Sequence, residues 1–458
     1  MRLYSEENDY KIFQGSMLDM LEVIPPNSID SIVTDPPYEL GFMAKSWDKS
    51  GIAFQKETWG KCFTVLKPGG YLLAFGGSRT FHRIACAIED AGFEIRDTIM
   101  WLYGCGFPKS MNIGLAIDKR DGVDNTTGVI RNDGACNGKH FNLAEEKTME
   151  KVFAERQAQN EWAGWGTQLK PAYEPIIVAR KPVECSVVDN VLKYRVGGIN
   201  IDECRVGEEH FVQEYQERKS KGIYGDKVLL PKEYYGRFPA NVIHDGSEEA
   251  TSGMPDTGGG TTMRFGSVRQ KQENNCYKLG FTQKEFNDGQ YAPDSYGDEG
   301  SASRYFYCAK ASKKDRDEGL DAFEERTAGY RTNRKDGSAG INAYAGATAN
   351  ARNIHPTVKP IELMQYLVRL VSPKGAIILD CFMGSGSTGK AVMFENRERH
   401  ADYKFVGIEL TPEYLPICKS RIEYGKYKYE YDIKHEQAES MRETGVMQQS
   451  IFDIGDEL

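Results

Sequence analysis

The feature that most constrains the fold is the stretch 376–391, AIILDCFMGSGSTGKA, in which an apolar run meets a glycine-rich turn. The aliphatic residues before Asp380 predict a buried strand, and the small residues after it predict a tight turn into a helix. Gly384, Gly386 and Gly389 have the G-x-G-x-x-G spacing of a dinucleotide-binding turn. The stretch therefore predicts an α/β fold that binds a nucleotide-like ligand at this turn.

Three kinds of ligand are candidates for the turn. The phosphate loop of an NTPase is excluded, because Ala391 follows Lys390 where a serine or threonine must bind magnesium. NAD is supported by Glu409, which follows Gly389 at about the 20-residue distance of an acid that binds ribose hydroxyls. Asp380 disfavours a pyrophosphate and suits an ammonium or sulfonium, as in S-adenosylmethionine. The turn alone leaves these two ligands open, and also a plain strand–helix turn that needs small residues and binds no ligand. Lys390 is predicted on the helix surface.

Two segments that alternate strands with helices flank a long middle without this periodicity. Residues 10–117 and 355–425 show the alternation, which predicts a mostly parallel sheet covered on both faces. We expect a Rossmann-like α/β sheet assembled from the N- and C-terminal segments, with a large insertion between them. The predicted divisions are 1–184 with a polar loop at 120–165, an insertion at 185–350, a second half at 351–425 and a polar tail at 426–458.

The composition narrows the class of protein. Hydrophobic residues at 40% and charged residues at 27% are ordinary for a globular protein. No signal peptide is indicated, and no apolar run reaches the ~18 residues of a membrane helix. The 10 cysteines form no C-x-x-C pair and the 7 histidines form no H-x-x-x-H pair, which predicts free thiols in a reducing cytoplasm and no metal site. The net charge of −9 weighs only weakly against DNA binding, because a local basic face would suffice.

A second motif, TDPPY at 34–38, directly follows a predicted strand. Its prolines stiffen the turn, so that the Asp35 carboxylate, the Pro36 carbonyl and the Tyr38 ring are presented at the strand end. An exocyclic amino group of adenine or cytosine is a poor nucleophile, because its lone pair is delocalised into the ring. Two acceptors that bind its N–H groups favour a pyramidal nitrogen, while an aromatic ring stacks on the extruded base. The released proton goes either to Asp35 or directly to water.

Three motifs in this order resemble the DNA methyltransferases that modify exocyclic amino groups, in the permuted arrangement called the β class. They are TDPPY, HPTVKP at 355–360 and LDCFMGSGSTG at 379–389, and KPAYEPIIVARKP at 170–182 is similar to a strand segment of that family. The resemblance implies S-adenosylmethionine as the cofactor and double-stranded DNA as the substrate. It assigns catalysis to Asp35, Pro36, Pro37 and Tyr38, and cofactor binding to Asp380, Phe382, Gly384, Gly386, Glu409, His355, Thr357 and Lys359.

The middle of the chain is expected to recognise the DNA sequence. Arginine can hydrogen-bond to guanine or bind phosphate, which makes the basic residues near the end of this region candidate DNA contacts. They are Arg331, Arg334, Lys335 and Arg352, together with the glycine-rich stretch 257–271. Tyr173 is either a second aromatic face for the extruded base or a core tyrosine.

The leading hypothesis is methylation of the adenine amino group within a short DNA site. Cytosine-N4 methylation is the nearest alternative, although those enzymes usually have serine in place of Asp35. An NAD-dependent oxidoreductase and a DNA-binding protein without catalysis are alternatives of other classes. The sequence leaves open whether the chain forms a homodimer and whether a separate restriction endonuclease accompanies it.

Overall fold

The computed structural model describes residues 2–40, 46–104, 106, 110–123, 158–213, 232–257, 300–309, 314–326 and 351–428. The helices are α1 (Met17–Met20), α2 (Lys56–Val65), α3 (Phe81–Asp90), α4 (Ile113–Arg120), α5 (Val187–Tyr194), α6 (Glu248–Thr251), α7 (Lys314–Asp317), α8 (Ile361–Val371), α9 (Ser387–Arg399) and α10 (415–428). The strands are β1 (Arg2–Glu6), β2 (Tyr10–Gln14), β3 (Ile29–Thr34), β4 (Leu66–Phe75), β5 (Glu94–Leu102), β6 (Tyr173–Arg180), β7 (Val206–Gln213), β8 (Lys232–Arg237), β9 (Val242–His244), β10 (Asp256–Thr257), β11 (Gly300–Ser301), β12 (Tyr307–Cys308), β13 (Ile377–Asp380) and β14 (Lys404–Glu409).

One sheet dominates the described part of the chain, with strand order β1-β2-β14-β13-β3-β4-β6-β5-β9-β12. The neighbours from β2 to β4 are all parallel, whereas β6 runs antiparallel between β4 and β5. Strands β13 and β14 come from the C-terminal segment and β3 and β4 from the N-terminal one. This confirms the predicted Rossmann-like sheet assembled from two separated segments. From β13 the chain continues to β14 on one side, and from β3 it continues to β4 on the other side, so the strand order reverses between β13 and β3. In such sheets ligands bind at this point, in a crevice at the carboxyl ends of the strands.

Side chains on opposite faces of the sheet enter two hydrophobic clusters. Val33 of β3 belongs to the cluster that includes α8 and α9, and its neighbour Ile32 belongs to the cluster that includes α1, α2 and α3. Because successive side chains of a strand point to opposite faces, both faces of β3 are buried. This agrees with the predicted sheet that helices cover on both sides.

The middle of the chain also contributes to the main sheet. Strand β9 pairs in parallel with β5, and β12 pairs in parallel with β9 at the sheet edge. Elsewhere in the middle, β7 pairs with β8 and β10 with β11, each pair antiparallel. The division at 185–350 stays a prediction, but its described part includes strands that extend the sheet.

Residues 105–172 form a compact unit of their own by their internal contacts. Its described part contains α4, whose first turn is capped by the side chain of Asn112. The Asp118 carboxylate accepts hydrogen bonds from the backbone of Gln159 and the side chain of Asn160. Of the predicted polar loop 120–165, residues 124–157 lie outside the described residues.

The prediction for Lys390 in α9 is wrong. Its side chain is fully buried, and its Nζ lies 2.7 Å from Glu318 Oε2 and 4.8 Å from the centre of the Tyr424 ring. Burial lowers the pKa of the Lys390 ammonium to about 8. The prediction considered the helix alone, whereas residues from a distant part of the chain, including Glu318, cover this face.

No helix in the described ranges is long and apolar enough to cross a membrane. Those ranges also contain no group of three or more His, Cys, Asp or Glu side chains that could hold a metal ion.

The packing of α9 against the sheet requires a glycine at position 389. A Cβ at Gly389 would lie 2.6 Å from Ile422 Cδ1 and 2.7 Å from Phe405 Cε1, and both of these side chains are buried. We expect Gly389→Ala to lower the free energy of unfolding by about 1–3 kcal/mol through overpacking. Urea denaturation measures the change.

Gly60 in α2 is a matched control, because a Cβ there would meet nothing within 4 Å. Gly60→Ala should raise stability by roughly 0.5–1 kcal/mol through helix propensity. A Gly389→Ala protein as stable as the wild type would contradict this account of the packing.

Candidate active site

The carboxyl ends of four neighbouring parallel strands bring the sequence motifs to one edge of the sheet. In spatial order, β14 ends at Glu409, β13 at Asp380, β3 at Thr34 and β4 at Phe75. Asp35 directly follows Thr34. The sheet thus brings together residues more than 300 positions apart in the chain, at the edge where open α/β sheets bind their ligands.

A buried hydrogen bond joins the two motifs. The Thr34 hydroxyl donates to Asp380 Oδ1 at 2.7 Å and accepts from the Phe382 backbone N–H at 3.2 Å. The other carboxylate oxygen of Asp380 accepts from the Thr388 hydroxyl at 2.6 Å. Asp380 is 2% exposed, and burial raises its pKa to about 6. Both of its oxygens therefore fix the turn.

Glu409 binds the same turn from the neighbouring strand. Its Oε2 accepts from the Gly384 backbone N–H at 2.8 Å and its Oε1 from the Thr411 N–H at 2.7 Å. Burial raises the pKa of Glu409 to about 7, and the charge of Asp380 adds to the rise. Among the described residues, neither acid forms a salt bridge. Two buried carboxylates without a paired cation favour a positively charged ligand over a pyrophosphate.

The turn requires glycine where it approaches the HPTVKP segment. Gly384 has φ +54°, and a Cβ there would lie 2.8 Å from His355 Nε2. The His355 ring contacts Tyr414 edge-on at 4.6 Å and stacks on Trp47 at 6.3 Å, while its Nδ1 hydrogen-bonds the Thr357 carbonyl. Burial lowers the pKa of His355 to about 4. The ring is therefore neutral at pH 7 and acts in packing and hydrogen bonding.

Gly386 and Phe382 complete the turn. Gly386 has φ +75°, and a Cβ there would lie 2.8 Å from Cys418 Cβ, so the start of α9 packs directly on α10. The half-buried Phe382 ring lies 6.4 Å from the Trp59 ring. Both predicted residues therefore pack the turn against neighbouring parts of the protein.

The catalytic motif contacts a lysine from the HPTVKP segment. Lys359 Nζ lies 2.6 Å from Asp35 Oδ2 and 3.2 Å from the Tyr38 hydroxyl oxygen. Burial acts to lower the pKa of Lys359, but the charges of Asp35 and Glu174 outweigh it, and the pKa is raised. The resemblance assigned Lys359 to the cofactor; in the structure its charged group lies on the catalytic motif.

One oxygen of Asp35 has no hydrogen-bond partner within the described ranges. Asp35 Oδ1 is buried, and it accepts no hydrogen bond from any residue that the structure describes. The next residue, Pro36, is buried and Pro37 is half-buried, which keeps the strand end rigid. A buried acceptor of this kind is rare unless a ligand or water satisfies it.

Two contributors to the site were missed in the sequence. Glu174 accepts the hydroxyl of Tyr38 at 2.9 Å, and its Oε2 lies 3.3 Å from Lys359 Nζ. Thr34 makes the joining hydrogen bond described above. The sequence offered one signal for each residue: an acid at the start of the apolar strand in KPAYEPIIVARKP, and a hydroxyl at the end of the apolar strand before DPPY. Neither signal reveals a role in the site, because the partners of Glu174 and Thr34 are remote from them in sequence.

The candidate DNA contacts are only partly described. Tyr173 is half-buried at the start of β6, next to Glu174. Arg352 lies 3.7 Å from Asp321 and 3.8 Å from Glu325, within ion-pair range. Arg331, Arg334, Lys335 and residues 258–271 lie outside the described residues, and so does the tail from 429 onwards. DNA contact by these residues stays a prediction.

The chain is similar in sequence to DNA methylases. A family model of the N6/N4 methyltransferases, described as DNA methylase, matches residues 29–420. The chain is 26% identical over 148 residues to the type II methyltransferase M.HindIII of Haemophilus influenzae, a match that covers 31% of this chain and 37% of that protein. It is 34% identical over 90 residues to the type II methyltransferase M.BglI of Bacillus subtilis, covering 20% and 23%. The chain thus spans well under half the length of these relatives.

Solved structures of DNA methyltransferases are also similar, at low scores. M1.HpyAVI matches with a TM-score of 0.34 and 13% identity, over 90% of this chain and 98% of that one. The cytosine-N4-specific PvuII DNA methyltransferase matches with a TM-score of 0.37 and 12% identity, over 92% and 90%. The order of the strands in the main sheet identifies the Rossmann-like fold.

The buried carboxylate of Glu409 predicts a pH dependence of stability. Its pKa is about 7 in the folded state and 4.5 ordinarily, so between these values the folded state binds the proton more tightly. Stability therefore falls as pH rises from about 4.5 to 7, by on the order of 3 kcal/mol from this group. We expect Glu409→Gln to make this fall shallower in urea titrations of the ligand-free protein.

In the Glu409→Gln variant, Asp380 should still lower the stability of the protein as the pH rises from about 4 to 6, because its pKa is also raised in the folded state. Glu57→Gln, at an exposed position of α2, is the control and should keep the full wild-type slope. An unchanged slope in Glu409→Gln would show that Glu409 is not the group responsible.

Proposed function

The chain belongs to the N6/N4 DNA methylase family, whose model spans residues 29–420, and from this membership we propose that it transfers a methyl group from S-adenosylmethionine to the exocyclic amino group of an adenine in double-stranded DNA. The observation that carries the proposal is the Asp35 carboxylate. One oxygen is held by Lys359 at 2.6 Å, and the other is buried without a partner among the described residues. An ionised carboxylate is acceptor-only, so this oxygen suits an N–H group of the substrate.

The catalytic motif acts on the amino group and the base. Asp35 Oδ1 and the Pro36 carbonyl each accept one N–H of the exocyclic amine, which favours a pyramidal nitrogen with its lone pair available. The Tyr38 ring supplies the stacking surface for a base extruded from the duplex. Tyr38 is held at its backbone and at its side chain. Its carbonyl accepts a hydrogen bond from the Thr80 hydroxyl at 2.9 Å, and its hydroxyl donates to Glu174.

The cofactor residues fit a cationic nucleoside. S-adenosylmethionine, when bound, supplies the activated methyl group on its sulfonium. Glu409 would bind the ribose hydroxyls, and the left-handed backbone at Gly384 and Gly386 would hold the turn beside it, packed against His355 and α10. The charges of Asp380 and Glu409 have no paired cation in the described residues, which supports a cationic ligand and disfavours NAD. Phe382, His355 and Thr357 would line the same turn.

Adenine is proposed over cytosine because position 35 is aspartate and not serine. Modification-sensitive sequencing of DNA from cells that express the protein reads the base and the recognised site together. Methylated adenine supports the proposal, whereas N4-methylated cytosine would show that the substrate base is cytosine. DNA without any modification would count against the activity.

Asp35→Ala should reduce methyl transfer to duplex DNA at least about 100-fold, since it removes an acceptor aimed at the reacting group. A radiolabelled methyl-transfer assay with plasmid DNA measures the loss. Asp90→Ala, at an exposed position at the end of α3, is the matched control and should retain wild-type activity. Full transfer by Asp35→Ala would refute the mechanism.

Glu409→Gln should weaken binding of S-adenosylmethionine about 10- to 100-fold, as expected for loss of a hydrogen bond to a charged group. Isothermal titration calorimetry measures the affinity, with Glu57→Gln as the control. The same titration with NAD should show no binding. Tight NAD binding without S-adenosylmethionine binding would favour an oxidoreductase instead.

A further inference from the structure

Glu174 lies beside the catalytic motif because of the direction of its strand. Strand β6 runs antiparallel to β4, with Ile176 opposite Phe75. The first residues of β6 therefore lie at the carboxyl end of β4, next to the end of β3. Glu174 is the second residue of β6, and its side chain is 21% exposed. No sequence motif or resemblance gave this carboxylate a role.

The Glu174 carboxylate holds two groups of the site. Its Oε2 accepts the hydroxyl of Tyr38 at 2.9 Å and lies 3.3 Å from Lys359 Nζ. Lys359 in turn lies 2.6 Å from Asp35 Oδ2. One nearly buried cation is therefore shared between two carboxylates. Its ammonium is also 4.8 Å from the centre of the Phe75 ring.

This sharing determines what Asp35 can offer a substrate. The ammonium of Lys359 lies within ion-pair distance of both carboxylates, and the attraction of Glu174 opposes its movement toward the second oxygen of Asp35. With Glu174 present, Lys359 contacts Asp35 through Oδ2, and Oδ1 has no partner in the described residues. The cluster contains two carboxylates and one ammonium, so Asp35 shares its cation with Glu174.

We propose that Glu174 is a positioning residue for methyl transfer, which acts through Lys359 and Tyr38 to keep Asp35 Oδ1 available to the target amine and the Tyr38 ring oriented for the extruded base. This inference rests on the proposed function. Glu174 itself does not touch the reacting atoms in this arrangement. Its effect should therefore appear in kcat and should depend on Lys359.

Glu174 can be replaced without removing core packing. Its pairing with Trp101 is part of the β5–β6 backbone ladder, and the buried side chains of β6 begin at Pro175. Glu174→Gln keeps the size of the side chain and an acceptor for the Tyr38 hydroxyl, but it removes the charge that draws Lys359. A loss of activity in a folded variant therefore reports on the charge.

We expect Glu174→Gln to lower kcat about 10- to 100-fold, because small displacements of catalytic groups have effects of this size, and to leave the KM for S-adenosylmethionine within about 2-fold. In a Lys359→Met background, Glu174→Gln should have no further effect, because the cation on which the charge of Glu174 acts is gone and Gln still accepts the Tyr38 hydroxyl. A Glu174→Gln protein with wild-type kcat would overturn the inference. So would a loss of equal size in the Lys359→Met background.

Glu94→Gln is the matched control. Glu94 lies on the adjacent strand β5, opposite Arg180 at the far end of β6, and is ion-paired with it at 2.6 Å. Glu94 is also a carboxylate on a strand of the main sheet, but within the described residues it forms no hydrogen bond or ion pair with the catalytic motif. Its kcat should equal that of the wild type, and a loss matching that of Glu174→Gln would overturn a specific role for Glu174.

A spectroscopic measurement separates this inference from the proposed function. In protein labelled with ¹³C at lysine Cε, the NMR signal missing from Lys359→Met identifies Lys359, and its titration midpoint should fall in Glu174→Gln. If wild-type protein methylates no DNA while this shift is observed, the proposed function fails and the charge coupling stands. If the wild type methylates DNA and the midpoint is unchanged, the coupling to Lys359 is refuted.

Discussion

The hydrogen bond between Thr34 and Asp380 is the interaction on which the active site depends. It joins β3 to β13 at 2.7 Å in a fully buried environment, where two segments from opposite ends of the chain meet. Two further bonds support the same junction: the backbone N–H of Ile377 donates to Asp30 at 2.8 Å, and Ser31 and Ser372 share a hydrogen bond at 2.7 Å. Buried polar groups are costly unless satisfied, so these bonds specify one register between the halves.

The end of the long middle segment is bound to the cofactor half. Arg316 donates to the carbonyl of His355 at 2.8 Å, and Asp317 accepts the backbone N–H groups of Arg352 and Asn353. These contacts fix the loop that leads to Lys359. The position of the lysine on Asp35 therefore depends on residues of the middle segment as well as on the HPTVKP motif itself.

The sequence predicted those parts of the fold that depend on local pattern. The strand, turn and helix predicted at the glycine motif are confirmed, because β13 ends at Asp380 and α9 begins at Ser387. The error at Lys390 arose because its burial depends on Glu318, a residue 72 positions away. Glu174 was missed for the same physical reason: its partners Tyr38 and Lys359 come from other segments, and only the antiparallel insertion of β6 brings them together.

The acidic side chains of the crevice form two groups, which differ in whether a cation of the protein is paired with them. Asp380 and Glu409 have raised pKa values because they are buried together and, within the described residues, form no salt bridge. Asp35 and Glu174 share the ammonium of Lys359. A cationic ligand lowers the electrostatic cost of the first group, whereas the second group already contains its cation and leaves one acceptor oxygen for a neutral N–H donor. The same sheet edge thus offers one place suited to a sulfonium and a neighbouring place suited to an amine, which is the arrangement that transfer between them requires.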